Sequence, residues 1–444
     1  MFANRREYDE LSPRHARRPP RTLDLFPSSW RPPDGSRPAS PKSKQRRGTL
    51  TRSAPPFCDW RRAIILVIAW TFSTPLLGGG WDRFDQGVNL LFDPGTIFDA
   101  QFYGLFPNRK FNRVNGKPES INTAPDFIFR PSINLKFAPL VNAACLAAYR
   151  QPFGTQNAYP SSWSQANSII ASILNVQELG LTCSYRVPAG DGYVRFIGGG
   201  TEDFATYNQV AQDRLANGSS IRPSLDLQAS AAGWRTGLAY ELPSKGLRAS
   251  IMYYSSIDLS AHGVLRYLPL RGGAFLAAAP VNAAASIPQA VEGVIQFPIA
   301  PAWIDTVTVR WVNWSVERSI PVVLAANSGP LRAGQVLTRL NAFWLDGWTL
   351  SNRVTYLWSD RLALAVSVGL DRGVSTGWTD NPNAWNTILF GNYKLTDHLE
   401  MTAGVGIIML APDAINKRVQ GGDFNATAAA GDIVFTNLGF RFRF

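Results

Sequence analysis

The chain closes with NLGFRFRF, residues 437–444. In an extended segment successive side chains point to opposite faces, so Leu438, Phe440, Phe442 and Phe444 share one face while Gly439, Arg441 and Arg443 share the other. One face is large and aromatic and the other carries two permanent charges, so the two faces call for different solvents. Upstream the same alternation recurs. In DFIFRPSINLKF, Phe127, Phe129, Ile133, Leu135 and Phe137 oppose Asp126, Arg130, Ser132, Asn134 and Lys136. In LRASIMYYSS, Ala249, Ile251 and Tyr253 oppose Arg248, Ser250 and Tyr254, and in LALAVSVGL, Leu362, Leu364, Val366, Val368 and Leu370 oppose Ala363, Ala365, Ser367 and Gly369. Around WIDTVTVRW, Trp303, Val307, Val309 and Trp311 oppose Thr306, Thr308 and Arg310. Turn-rich stretches such as LANGSS and TDNPNA separate these segments.

Alternation alone fits a soluble sandwich as well as a membrane barrel, because both bury one face of each strand. The closing strand decides between them. A terminal Phe behind an alternating aromatic segment, in a chain with an export signal, resembles the C-terminal recognition strand of outer-membrane proteins, with Phe440, Phe442 and Phe444 as its assembly signal. An open sheet edge is excluded in hydrocarbon, so the strands must close into a barrel. With the aromatic face to lipid, Arg310, Arg353, Glu400, Arg441 and Arg443 all fall on the lumen. That phasing is physically consistent, since one Lys or Arg facing lipid at the midplane costs about 2–4 kcal/mol.

The export signal is Arg61-Arg62 followed by the apolar run AIILVIAWTFSTPLL, with Gly78-Gly79-Gly80 supplying small residues for cleavage, and it is assigned to residues 61–79. As a helix the run would extend roughly 22 Å, short of the roughly 30 Å hydrocarbon core, so a cleaved leader accounts for it better than a permanent anchor. Residues 1–60 form a basic extension rich in Arg, Pro and Ser, too polar to bury a core and expected to be disordered. A start codon placed too far upstream, with the true start at an alternative codon such as that of Leu50, is the favoured reading of this arm.

Charge and cysteines remove several functions. The chain carries 44 Lys/Arg against 32 Asp/Glu, net +12, but residues 1–62 hold 15 of the bases and only 6 of the acids. The basic balance therefore belongs to the arm, and no nucleic-acid partner is read from it. Cys58, Cys145 and Cys183 form no CxxC or Cys/His cluster, so neither a structural metal nor thioredoxin-type redox chemistry is indicated. Cys145 and Cys183 are either two unpaired apolar residues or an oxidised pair. The three histidines are His15, His262 and His398. His262 lies near serines in SSIDLSAHG but has no nucleophile elbow or acid partner, which argues against a barrel hydrolase. No catalytic residue and no cofactor is called for.

From about Trp81 onward the chain resembles the FadL/TodX family of outer-membrane transporters for long-chain fatty acids and other hydrophobic compounds. The resemblance rests on the order and spacing of GGGWDRFDQGVNLLFDPG, LKFAPLVNAACLAAYRQPFG, GWRTGLAYELPSKGLRASIMYYSSI, IPQAVEGVIQFPIAPAWIDTVTVRWVNWSV, DGWTLSNRVTYLWSDRLALAVSVGLDRG and the last strand. It implies a fourteen-stranded transmembrane antiparallel β-barrel over residues 99–444, plugged by an N-terminal hatch over residues 80–98, with lateral exit through a kinked strand. It also implies a monomer taking hydrophobic ligands, set in outer-membrane lipid and lipopolysaccharide and inserted by the barrel-assembly machinery. Asp93-Pro94-Gly95 stands where the family carries Asn-Pro-Ala and is the candidate gate. The departure replaces an amide by a carboxylate, while Pro94 still fixes a turn.

Passive uptake of a hydrophobic compound is thus the expected function. Each methylene buried contributes about 0.8 kcal/mol, so capture is easy and release is the difficulty. No GxxxxGK[ST] motif supplies a nucleotide, so movement of the hatch must govern release. Arg310, Arg353, Arg441 and Arg443 are the candidate partners of an acidic ligand headgroup, in competition with structural pairing to acids such as Glu400. The alternative is a general diffusion porin for polar solutes, which needs charges of both signs at a constriction and no hatch. A purely structural or adhesive barrel would need long polar loops, whereas LRYLPLRGGAFLAAAPVNAAAS is apolar and small.

Overall fold

A computed structural model describes residues 79–83, 86–123, 127–214, 220–269, 277–328, 331–420 and 424–444. The basic arm, the upstream-start reading, Cys58 and most of the leader lie outside them. The wall begins with β1 (Ile97–Asn108). The short hairpin β2 (Lys110–Val114) and β3 (Lys117–Asn122) follows at its far end, and β4 (Ile128–Leu140) returns. Four long strands come next: β5 (Ala143–Ala158), β6 (Ala171–Ala189), β7 (Gly192–Val210) and, after the short β8 (Asp213–Arg214), β9 (Ser220–Leu242). The next four crossings are each broken at mid-height: β10 (Leu247–Tyr254) with β11 (Ile257–Pro269), and β12 (Ala277–Ile287) with β13 (Ala290–Ala300). The other two are β14 (Trp303–Val312) with β15 (Ser319–Leu324), and β16 (Val336–Asn341) with β17 (Gly347–Leu357). β18 (Leu362–Arg372), β19 (Ala384–Lys394) and β20 (Leu399–Leu410) are continuous. The hairpin β21 (Asp413–Asn416) and β22 (Asn425–Ala428) precedes the last strand, β23 (Gly431–Arg443).

Counting each broken crossing once, this is a closed antiparallel barrel of fourteen strands, as expected. Closure is made by β1 against β23, in register from Ile97↔Arg443 to Asn108↔Asp432. Both of these strand ends lie at one rim, the lower rim here. The upper rim carries the longer connections. Two of them, β2–β3 and β21–β22, join into a four-stranded sheet over part of that rim. Beneath it Tyr159 and Trp163 stack at 4.3 Å, Phe111 lies 6.5 Å from Trp163, and Arg109 pairs with Asp380 at 2.9 Å.

The phasing read from sequence is borne out strand by strand. Phe129, Leu135, Phe137, Ile251, Leu364, Val366, Val368, Leu438 and Phe442 are exposed on the outer face. Arg130, Asn134, Lys136, Arg310, Arg353, Glu400 and Arg441 are buried on the inner one. An outward apolar band with charges turned inward is what lipid on one side and a packed lumen on the other require. Cys145 and Cys183, register partners on β5 and β6, are joined by a disulfide, so the oxidised alternative is the one realised.

Candidate functional site

The lumen holds the described residues that precede β1. Residues 79–83 and 86–96 run inside the barrel from its upper half to the lower rim, ending in a single 3-10 turn, Asn89–Phe92, before β1. Val88, Leu90, Leu91 and Phe92 are all buried there. The segment covers most of residues 80–98, for which a hatch is expected, while the last two of these, Ile97 and Phe98, pair in the wall.

At the lower rim the anchor is ionic. Asp93 is buried and its carboxylate meets Arg441 at 3.2 Å and Arg443 at 3.7 Å. Arg441 also holds Asp99 at 3.0 Å, and Arg443 holds Glu400 at 2.9 Å. The Lys136 ammonium donates to the carbonyls of Asp93 and Gly95, the latter at 2.7 Å. Gly95 has φ +74, a conformation that costs glycine nothing and any other residue strain. Arg195 donates to the Leu91 carbonyl at 3.1 Å while pairing with Glu241 at 2.7 Å, and Arg195 and Arg248 both lie over the Phe92 ring. Around Asp93-Pro94-Gly95 the segment is thus held by side chains of four strands, β4, β7, β10 and β23. The Asp93 carboxylate, standing where the resemblance leads one to expect an amide, meets two guanidiniums.

A second layer lies higher. Arg310 pairs with Asp82 at 3.2 Å and Glu292 at 3.4 Å and reaches Gln86 at 3.3 Å. Gln86 donates to Glu178 at 3.0 Å, and Glu178 pairs with Arg235 at 2.6 Å. Above it the contacts become aromatic. The Trp81 ring stands edge-on to Trp314 at 5.8 Å and to Trp344 at 5.0 Å, and both partners turn inward from the breaks between β14 and β15 and between β16 and β17.

Of the four arginines proposed for an acidic headgroup, three are therefore engaged with the hatch or its acids. Arg310 touches it through Asp82 and Gln86, and Arg441 and Arg443 touch it through Asp93. The Arg353 guanidinium lies 5.1 Å over the Phe390 ring, beside an inward cluster with Leu105, Ile388 and Phe435. Across the lumen, on β9, β11, β12 and β15, a second inward cluster comprises Leu225, Leu227, Leu265, Val281, Ile320 and Val322. The upper inner wall is thus apolar on two sides. Period-two reading misses this, because it assigns one face of each strand to lipid and looks for polarity on the other. The available signal was SIPVVL (319–324), where apolar residues occupy both phases.

The wall also has a break. β5 pairs with β4 from Leu140↔Ala143 to Ile133↔Tyr149 and no further, although it pairs with β6 up to Ala158↔Ala171. Beyond Arg150 the edge that β5 turns away from β4 is taken by the hatch. The Arg83 amide donates to the Pro152 carbonyl at 2.8 Å, the Gly154 amide donates to the Trp81 carbonyl at 2.8 Å, and Asp82 bridges Phe153. Pro152 has no N–H to offer a neighbouring strand, and a Cβ on Gly154 would lie 2.5 Å from the Leu174 carbonyl oxygen. The sequence RQPFG (150–154) therefore carries the kink.

The architecture is a closed fourteen-stranded antiparallel barrel with residues 79–83 and 86–96 folded into its lumen, an apolar upper lumen and one interrupted seam. No protein-family model and no curated protein matches the chain in sequence. Solved structures do match. A Pseudomonas aeruginosa FadL homologue superposes with a TM-score of 0.66 at 13% identity, over 84% of this chain and 100% of that one. The Ralstonia pickettii toluene transporter TbuX gives 0.60 at 14%, over 85% and 99%. The P. putida toluene transporter TodX gives 0.59 at 14%, over 80% and 92%. The chain has the fold of these FadL/TodX-type channels, and the resemblance read from sequence is borne out at that level.

Proposed function

We propose that the protein is an outer-membrane channel for passive uptake of hydrophobic small molecules, with the upper rim facing outward and the lower rim facing the periplasm. The observation that carries the reading is the coincidence of an apolar upper lumen with a wall seam closed only by the hatch. A ligand entering from above meets Leu225, Leu265, Val281 and Val322 on one side and Leu105, Phe390 and Phe435 on the other. Below it the Arg310 and Asp93 layers present charge, which an alkyl chain or aromatic ring gains nothing by crossing. The lower-resistance path lies sideways, between β4 and β5, once Trp81–Arg83 moves. Lateral release into the membrane and gating by the hatch belong to this proposal. A diffusion porin is disfavoured because its lumen must be wet and polar.

Arg353 is the residue we assign to a carboxylate headgroup, since its guanidinium lies over the Phe390 ring beside the apolar surface of Leu105, Ile388 and Phe435. Arg310, Arg441 and Arg443 are assigned to seating the hatch, and the Asp93-Pro94-Gly95 turn to its hinge. The neighbours named above act on toluene or resemble FadL, which leaves two ligand classes open to one test. Arg353→Ala is expected to weaken binding of a fluorescent fatty acid while leaving an uncharged aromatic unaffected. Equal loss for both would remove the headgroup role.

The seam is tested directly by Pro131→Cys with Gln151→Cys, the positions that would face each other if the β4–β5 ladder ran one outward pair past Ile133↔Tyr149. Oxidation is expected to stop uptake of hydrophobic compounds by cells, and a reductant is expected to restore it. Undiminished uptake with the cross-link formed would rule out lateral release. Large steady ionic currents from the native protein in planar bilayers, without saturable lipid binding, would replace the whole reading with the porin.

A further inference from the structure

The hatch begins at a buried carboxylate that has no countercharge among the described residues. The Gly79 nitrogen lies 3.1 Å from Asp371 Oδ2, at the upper end of β18. Asp371 is 3% exposed. Its other oxygen, Oδ1, has no hydrogen-bond partner, and among the described residues Asp371 makes no ion pair. The acid beside it on the hatch, Asp82, is matched by Arg310 at 3.2 Å. A carboxylate taken out of water without a cation is costly, and a single backbone N–H can serve only one of its two oxygens.

The seat around that nitrogen is shaped for chain with no side chain. Gly79 and Gly80 have φ +68 and +53. A Cβ on Gly79 would lie 2.6 Å from Val374 Cγ1, and one on Gly80 would lie 2.7 Å from the Trp314 ring. The sequence places these two residues directly after the leader, with the small Gly78 before them.

We propose that export processing cuts the Gly78–Gly79 bond, one residue earlier than the leader boundary read from sequence, and that the new α-ammonium of Gly79 is bound by Asp371 inside the barrel. In the cut, water adds across the peptide bond. The leader leaves with the Gly78 carboxylate, and the Gly79 amine takes up a proton. The agent required is a membrane-bound signal peptidase that accepts small residues at the cut. An ammonium brings three N–H donors and a full positive charge to the site where the uncut chain offers one N–H. It can satisfy Oδ1 as well as Oδ2, so Asp371 becomes a receptor for the processed terminus and reports that the leader has been removed. The inference does not depend on which molecule the channel carries.

The test starts with the full chain, exported with its own leader and purified from outer membranes. N-terminal sequencing and intact mass are expected to give Gly79-Gly80-Trp81 as the first residues, and a terminus at any other position, or an uncut chain, overturns the proposal. On the same folded preparation, acetic anhydride is expected to modify the α-amine about tenfold more slowly than after unfolding, because a nearby carboxylate holds the amine in its protonated form. Equal rates overturn it. Two variants separate the charge pair from a plain amide hydrogen bond: Asp371→Asn, and an alanine inserted between Gly78 and Gly79 so that the ammonium moves one residue back. Each is expected to release the protection, and the two together no more than either alone. A heat-modifiability gel confirms that each is folded. Should both variants misfold, the comparison of folded with unfolded native protein still decides the matter.

Discussion

Two seams lie two strands apart in this barrel and are built differently. β23 and β1 pair residue for residue along twelve positions, whereas β4 and β5 hold together only over their lower part. At the first seam every backbone group is satisfied by the neighbouring strand, as hydrocarbon requires. At the second the neighbour is withdrawn and a segment from inside the lumen supplies the partners instead. A barrel can therefore carry an opening in its wall provided that a movable piece of chain completes the hydrogen bonding, and here that piece is also the plug. In the proposed mechanism, opening the seam and unplugging the lumen are one event.

The comparison can be broken most severely by removing the shared piece. Deleting residues 79–92, which leaves β1 intact, is expected to raise single-channel ionic conductance in planar bilayers roughly tenfold or more, since a barrel of this strand number is wider than its wall side chains can fill. An unchanged conductance would mean that the lumen is blocked by something other than the hatch.

Next in size is the lower anchor. Asp93→Ala leaves Arg441 and Arg443 buried against fewer acids, and loss of one partner of a buried ion pair costs about 3–5 kcal/mol. A lowered unfolding temperature in detergent, with conductance flickering toward the deleted form, is the expected outcome. Asp93→Asn, which keeps the shape and gives the family's amide, should fall between this variant and the native protein.

A subtler change acts at the upper seat. Gly80→Ala introduces a Cβ 2.7 Å from the Trp314 ring at a positive φ, which is expected to cost about 1–3 kcal/mol through overpacking and backbone strain. If the seam depends on the hatch, this variant should increase protease access to the 79–83 segment before it alters the β1–β23 seam, as read by cleavage mapping.

The smallest effect concerns the upper rim, where Arg109 directly follows the end of the β1–β23 seam. Burial beside Asp413 pushes the Asp380 carboxyl up to about 6 even though Arg109 pairs with it. The folded state then binds the proton more tightly than the unfolded chain. The stability from this group is fully present below the ordinary value of 3.8 and is lost as pH rises through about 6. Protease resistance of the 373–383 connection should accordingly decline from pH 4 to pH 7, and Asp380→Asn should flatten the dependence. A flat native profile would remove Asp380 from the rim's stability.

Strand phase could be read from the chain because it is a local property. Arg441 and Phe442 cannot both face lipid, and the period of two then places Lys136, Arg310, Arg353 and Glu400 on the lumen without reference to any partner. The plug was approached through resemblance, which put Asp93-Pro94-Gly95 forward as a candidate gate, and the structure sets that turn against Arg441 and Lys136. Which acid met which arginine could not be read, because Asp93 and Arg441 are brought together by barrel closure across almost the whole chain. Asp82 and Gln86 escaped notice for the same reason: polar residues in a glycine-rich segment look like an ordinary loop until Arg310 and Glu178 are seen around them. The inward apolar clusters were hidden by the assumption that lumenal faces are polar.

The sequence by itself, then, determined that the chain makes amphipathic strands that must close in lipid, since side-chain alternation and the cost of an unpaired edge act residue by residue. Only the tertiary structure decided where the wall is left open, what fills the lumen and which charges hold it, because those depend on contacts between residues that the chain separates and closure brings within hydrogen-bond reach.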